Sequence, residues 1–435
     1  MKPNKKLSLE PYKGTRDFYP KDQFVQNYIF GVWKKVAERY GYQEYNSSIL
    51  EETDLYRAKT GEEIVNEQTY SFTDRGGRDV TIRPEMTPTV ARMVAAKRRE
   101  LTFPLRWFSI PNLWRYERPQ RGRLREHWQL NCDIFGVDGI EADVEIISLA
   151  YDIMKEFGAK DKDFEIRIYN RKLLNYWAKV VGLNQEQASK ITKVIDKKDK
   201  ISTKDFYVRT EEILKEKTEE FIELMQSPKK FEERTNFFQK KEEGKLAWKE
   251  INLVFDKLES RGIKNIRLDA ALVRGFDYYT GMVFEMYDVN PKNPRALFGG
   301  GRYDDLVGIF GVEKVSGVGF GWGDVTTKDF LETYKLLPEF KSSSQLYICH
   351  LDGYLDKANE LASSLREQGA NVEVDLTERK IQAQIKTADR EDVPFVLVVG
   401  EEEVKSKRYK VKNLQTGKEE QTAEKDIYQL VKKNA

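Results

Sequence analysis

Leu272–Glu285 reads LVRGFDYYTGMVFE. Its apolar start runs into Arg274 and Gly275, then Asp277 and the pair Tyr278–Tyr279. From Tyr278 onward, the β-branched and aromatic content predicts a strand. On that strand Tyr279, Gly281, Val283 and Glu285 share one face, and Tyr278, Thr280, Met282 and Phe284 the other. A cation, a carboxylate and two phenols within six residues is a large hydrogen-bonding capacity for a strand of buried character. Buried polar groups need partners. Those partners are either elsewhere in the protein or on a polar, partly anionic ligand whose phosphate or carboxylate faces the guanidinium.

Downstream, GGGRYDDLVGIFG (299–311) precedes Gly317, Gly319, Gly321 and Gly323. These glycines alternate, so a strand puts them on one face, as close approach of a ligand or another backbone requires. The spacing is not GxGxxG before a helix, and no GKS or GKT phosphate loop occurs. Upstream, residues 106–117 and 125–135 predict an antiparallel hairpin. Trp128, Leu130, Cys132 and Ile134 point one way; His127, Gln129, Asn131 and Asp133 the other. A sheet with one wet face accounts for that alternation without any function. Arg115 and Glu117 share a face of the first arm, and the joining loop carries Arg118, Arg121 and Arg123. Cations over a polar sheet face suit a triphosphate or an RNA end.

Asp79–Arg83 predicts a strand, and Thr87-Pro88 a helix start with Thr87 as its N-cap. Glu85 then either complements the helix dipole or accepts hydrogen bonds from a substrate ammonium with Thr87. Residues 21–40 predict an amphipathic helix, with Val25, Ile29, Val32 and Val36 on one face and Gly41 at its end, followed by an extended stretch to residue 52. Residues 166–264 are rich in lysine and glutamate and predict helices with i,i+4 charge pairs. Residues 333–344 read as a linker. Beyond it, Gln345–Cys349, Val372–Leu376 and Pro394–Gly400 predict strands alternating with helices, a mixed or parallel α/β domain.

The chain has 435 residues and a net charge of +2, enough length for two or three domains and no strongly basic tail to carry nucleic-acid binding by itself. Two cysteines, Cys132 and Cys349, and two histidines, His127 and His350, argue against a disulfide framework and a His/Cys zinc site. No apolar run suits a signal peptide or a membrane span, so a cytoplasmic protein is expected.

LVRGFDYYTG resembles the histidine-specific signature of histidyl-tRNA synthetases, members of the class II synthetases. Arg115-Tyr116-Glu117, the loop and the strand through Asp133 resemble the second class II motif. Arg83–Thr87 is similar to the family's Arg-Pro-Glu-x-Thr segment, and the glycine strand to the third motif. The resemblance runs from Gly14-Thr15-Arg16-Asp17 to the C-terminal domain. It departs at three places: Ser48 stands where the first motif carries proline, His127 where phenylalanine often underlies adenine, and Val325-Thr326 where a Glu-Arg pair is usual.

This resemblance implies an α+β catalytic domain, an antiparallel sheet flanked by helices, in residues 1–165 and 265–335. A helical insertion at 166–264 interrupts it, and an anticodon-binding α/β domain at 345–435 follows. The implied reaction joins L-histidine to tRNA(His) through a histidyl-adenylate made from ATP, with Mg2+ accompanying ATP and no metal held by the protein. Arg115 and Arg274 are the implied catalytic residues at the α-phosphate. Glu85, Met86, Thr87, Arg115, Gln129, Asp133, Arg274, Tyr278 and Tyr279 are the implied histidine site. Arg115, Glu117, Arg123, Gly321 and Gly323 are the implied ATP site, and a homodimer is implied by the first motif. A non-catalytic paralogue sensing histidine in a regulatory complex is the alternative that Thr326 favours. The signature and the C-terminal domain oppose it. A generic RNA-binding protein would need no imidazole pocket.

Overall fold

The structure, a computed structural model, describes residues 7–57, 68–196, 198, 201–226, 241–272, 278–293 and 295–433. The chain divides into two compact units, Met1–Leu337 and Pro338–Ala435.

The strands of the first unit are β1 (Gln43–Glu44), β2 (Leu50–Glu52), β3 (Tyr70–Thr73), β4 (Asp79–Ile82), β5 (Leu105–Ser109), β6 (Asn112–Trp114), β7 (Glu126–Phe135), β8 (Phe164–Asn170), β9 (Ile266–Leu268), β10 (Met282–Asp288), β11 (Ala296–Arg302) and β12 (Gly317–Gly323). Nine of them form one sheet in the order β1-β5-β7-β12-β11-β10-β8-β9, with β6 pairing β7 beyond β5. The ladder from β5 to β8 is antiparallel throughout, and only the outer pairs β1·β5 and β8·β9 are parallel. β2, β4 and β3 make a separate three-stranded sheet.

The predicted hairpin is β5, β6 and β7. Its first arm breaks at Ile110-Pro111, because proline has no N–H for the ladder. Arg115 and Glu117 therefore lie past the end of β6 and do not share a strand face. The expected strand from Tyr278 begins instead at Met282. The helix after β4 spans Thr87–Lys97 with Met86 at the cap position and no side-chain cap bond, so Thr87 is its first residue and not its N-cap.

One sheet face is apolar. Leu130, Cys132 and Ile134 of β7 and Val318, Phe320 and Trp322 of β12 are buried there. They belong to one core with the helices Pro20–Arg39 and Glu141–Glu156. Trp322 stacks on Phe298 with ring centroids 3.9 Å apart and meets Trp33 at 5.9 Å. Each large side chain fully buried in this layer contributes roughly 1.5–3 kcal/mol. The layer thereby fixes which face of β7 and β12 is left for polar residues.

Arg302 at the end of β11 ties the sheet to the Glu141–Glu156 helix. Its Nη2 meets Asp143 Oδ2 at 2.6 Å and its Nη1 donates to the Val137 carbonyl at 2.9 Å. Both side chains are buried. Of the segment expected to be a helical insertion, Ile166–Asn170 completes β8, and the helices start at Arg171. Tyr334 donates to Asp288 Oδ1 at 2.8 Å, so the first residues of the expected linker belong to the first unit.

The second unit has five strands, β13 (Leu346–His350), β14 (Val372–Val374), β15 (Phe395–Val399), β16 (Arg408–Asn413) and β17 (Glu419–Ala423), in the order β14-β13-β15-β16-β17. The first three are parallel, as the strand–helix alternation implies, and a terminal antiparallel hairpin makes the sheet mixed.

Candidate active site

The other face of the sheet carries the polar row of β7 beside the glycine row of β12. Gly319 pairs with Asp133, Gly321 with Asn131 and Gly323 with Gln129. A Cβ on Gly319 would collide with the Asp133 carboxylate, and one on Gly321 would stand 2.6 Å from Gln129 Oε1. The glycines are therefore required by close approach, and they leave a floor without side chains on which only the β7 row projects.

At one end the floor is closed by tyrosines. Tyr303, just past β11, donates its hydroxyl to Asp133 Oδ1. Asp133 Oδ2 is buried with no partner. Burial pushes the Asp133 carboxyl up to about 7, against the opposing hydrogen bond from Tyr303. Tyr278 and Tyr279 both flank Tyr303, with ring centroids at 5.9 and 6.5 Å. They do not lie on opposite faces as a regular strand would place them, because the chain joins the ladder only at Met282. Tyr278 donates to Glu85 Oε2 at 3.1 Å, which places the Arg83–Thr87 segment against this pocket. Glu85 is buried, Met86 is wholly buried, and Thr87 is half-buried at the first helical turn.

The other end is cationic. Arg115 donates from Nε to the Pro84 carbonyl at 2.9 Å, fixing its guanidinium beside the Glu85 segment. Arg123 pairs with Glu117 at 2.9 Å. His127 projects from β7 near Gly323. Burial, then Arg115, Arg16 and Arg123 in that order, lower its pKa to about 3, so the imidazole is neutral. The loop between the hairpin arms turns back at Gly122, whose added Cβ would stand 3.6 Å from Thr326 and 3.8 Å from Asp329. Lys328 faces away, 4.0 Å from Asp22 and 3.7 Å from Glu332.

The structure thus brings Glu85, Asp133, Tyr278 and Tyr279 around one end of a single trough and Arg115, Glu117, Arg123 and Gly323 around the other, with Gln129 over Gly321 between them. Arg274 and Asp277 lie outside the described residues. Tyr303 was not singled out from the sequence. Its place one residue beyond a Gly-rich strand was the available signal, but its contact with Asp133 spans 170 positions. Among the described residues, no cluster of three histidine, cysteine or carboxylate side chains could hold a metal ion. A pocket with two buried carboxylates and several phenols at one end and arginines at the other can hold a small polar ring with an ammonium and an anion together.

The family profile described as histidyl-tRNA synthetase matches residues 14–323, and that of an anticodon binding domain matches residues 345–434. A histidine–tRNA ligase of Leptospira biflexa is 44% identical over 412 residues, covering 94% of each chain. One of Thermoplasma volcanium is 36% identical over 434 residues, 98% of this chain and 99% of that one. The crystal structure of histidyl-tRNA synthetase from Nostoc sp. PCC 7120 superposes with a TM-score of 0.82 over 99% of this chain and 100% of its own, at 22% identity. That last likeness concerns the fold.

Proposed function

The chain belongs to the histidyl-tRNA synthetase family, and from that premise we propose that it is a histidine–tRNA ligase whose trough holds histidine at the tyrosine end and ATP at the arginine end. The observation that carries this assignment of ends is the Asp133–Tyr303 pair with its unpartnered Oδ2. Neutral imidazole has one N–H donor and one acceptor nitrogen. A buried carboxylate oxygen takes the donor, and a phenol serves the acceptor. A site that leaves those groups unpaired with an apolar isostere rejects it strongly.

In the first step a histidine carboxylate oxygen attacks the α-phosphorus of ATP, the bond to the β-phosphate oxygen breaks, and pyrophosphate leaves. In the second a terminal ribose hydroxyl of the tRNA attacks the histidyl carbonyl, and AMP leaves. No side chain forms a covalent bond; positioning and charge stabilisation carry such chemistry. Arg115, anchored on the Pro84 carbonyl, faces the α-phosphate. Arg274 shares that role through the signature alone. Glu85, with Thr87 and Gln129, receives the substrate ammonium, and Tyr278 keeps Glu85 aimed at it. The glycine floor admits the nucleotide, and neutral His127 offers a ring for adenine to stack on.

Mg2+ would enter with ATP as part of the substrate; among the described residues no group of three histidine, cysteine or carboxylate side chains could hold it. The partners are histidine, ATP and tRNA(His), the last read in part by the Pro338–Ala435 unit. Exposed Ile49, Leu50 and Phe72, on or beside the three-stranded sheet, support a homodimer contact despite Ser48. Charging of tRNA would take place in the cytoplasm; no helix among the described residues is long and apolar enough to cross a membrane. The regulatory-paralogue reading keeps only Thr326 in its favour. Histidine-dependent ATP–pyrophosphate exchange, followed by charging of tRNA(His), tests the proposal; a chain that binds histidine without exchange would overturn it.

A further inference from the structure

We infer that Tyr45 and Ser109 are positioning residues of the histidine pocket, their hydroxyls supporting the free oxygen of Asp133 as the acceptor of the imidazole N–H. The inference rests on the ligase reading above.

Both residues reach the trough through the sheet register. β5 lies beside β7 with Trp107 opposite Asp133 and Ser109 opposite Asn131. Paired residues share a sheet face, so Ser109 stands on the polar side, one step from Asp133. β1 runs parallel to β5 with Gln43 opposite Trp107, and the Tyr45 amide donates to the Phe108 carbonyl at 2.8 Å. That bond carries the register one step past β1 and sets Tyr45 beside Ser109. The Tyr45 ring is on the same face, because it packs on Trp107 with ring centroids 5.6 Å apart. Arg83 holds the turn that follows, donating from Nη1 to the Ser47 carbonyl at 2.8 Å and from Nε to the Asn112 carbonyl at 3.0 Å.

Among the described residues, the Tyr45 hydroxyl, the Ser109 hydroxyl and Asp133 Oδ2 are each buried without a hydrogen-bond partner. Burying such groups unpaired is costly. Asn131 does not serve them, because its Nδ2 donates to the Gln129 carbonyl at 3.0 Å. Packing alone needs neither hydroxyl: phenylalanine would keep the stack on Trp107, and alanine would fit at position 109. Burial and then the Asp133 charge push the Tyr45 phenol well up, and Ser109 opposes them, so the three groups act on one another. Of the other groups acting on Tyr45, Cys132 belongs to the apolar face and Arg83 is spent on carbonyls; Tyr303 meets Asp133 from the β11 side. A hydroxyl turns to donate to a carboxylate or to accept from a carboxylic acid. It therefore suits an oxygen whose proton comes and goes, and hydrogen bonds of this kind tighten when substrate fills a site. A carboxylate oxygen has two lone pairs, so Oδ2 can take one hydroxyl and the imidazole N–H together.

The test uses the full chain and two readouts: ATP–pyrophosphate exchange with histidine and ATP varied separately, and melting temperature against pH without substrate. Tyr45→Phe is expected to raise the histidine KM about tenfold or more and to leave the ATP KM little changed. Losing a donor that favours the ionised carboxylate raises the Asp133 pKa further. The fall of melting temperature with rising pH that Asp133 imposes should therefore end about one pH unit higher than in the wild type. Ser109→Ala should move both readouts in the same directions. In an Asp133→Asn background, Tyr45→Phe should add little to either. An unmoved pH profile overturns the inference. So does a joint rise of the histidine and ATP KM values, or an undiminished effect of Tyr45→Phe beside Asp133→Asn. If the wild type gives no exchange, the ligase reading fails; the pH profiles of melting still decide whether Tyr45 and Ser109 act on Asp133.

Discussion

Gly319 and Asp133 face each other across β12 and β7, so closely that a methyl group on the glycine would overlap the carboxylate. The glycine is what lets a carboxyl group stand upright in the sheet and meet Tyr303. Gly319→Ala is therefore expected to destabilise the protein by about 1–3 kcal/mol, the scale of core overpacking. It should also raise the histidine KM more than the ATP KM. Denaturant unfolding and steady-state exchange read the two effects; a variant with wild-type histidine KM would contradict the pocket assignment.

Asp133 makes stability depend on pH in a predictable direction. Its folded pKa is raised from the ordinary 3.8 to about 7 by burial. The folded state binds the proton more tightly, so the contribution is present below 3.8 and is lost as pH rises through about 7. Asp133→Asn removes this titration. Without histidine, the variant should gain stability relative to wild type as pH goes from about 5 to 8. Parallel melting curves at the two pH values would refute it.

The turn at Gly122 sets loop cations beside Thr326, whereas Lys328 faces Asp22 and Glu332. Arg121→Ala and Arg123→Ala should each raise the ATP KM more than Lys328→Ala does. A larger effect at Lys328 would show that the helix, not the loop, meets the triphosphate.

The unit boundary after Leu337 suggests a clean dissection. A chain ending there is expected to keep pyrophosphate exchange and to charge tRNA poorly. Equal loss of both activities in a folded fragment would mean that the C-terminal unit supports the chemistry.

Much of this architecture is legible in the sequence because it is local. The β7 alternation and the spaced glycines of β12 each announce their own face. What escaped was made by contacts between distant segments. Tyr303 gains its role from Asp133, and the two tyrosines of the signature turn to the same side because their backbone is held before β10 begins. The β16–β17 hairpin escaped because β16, RYKVKN, offers only Tyr409 and Val411 as a buried alternation and β17, EEQTA, is polar and mostly exposed. Arg16 shows a sequence nothing but a cation near an aspartate; only Asp324, 308 positions away, makes it rigid.

The strand that completes the trough is synthesised last. β12 sits between β7 and β11, so a nascent chain holds two open sheet edges until residues 317–323 emerge from the ribosome. Neighbours so far apart in sequence carry the entropy of closing long loops and assemble slowly, and exposed edges invite pairing with other chains. A fragment ending at Ser316 should be degraded quickly by protease and captured by chaperones, while one ending at Leu337 should resist. Such a chain would acquire its shape and its capacity to bind histidine in the same moment of translation, leaving no half-built enzyme able to compete for substrate.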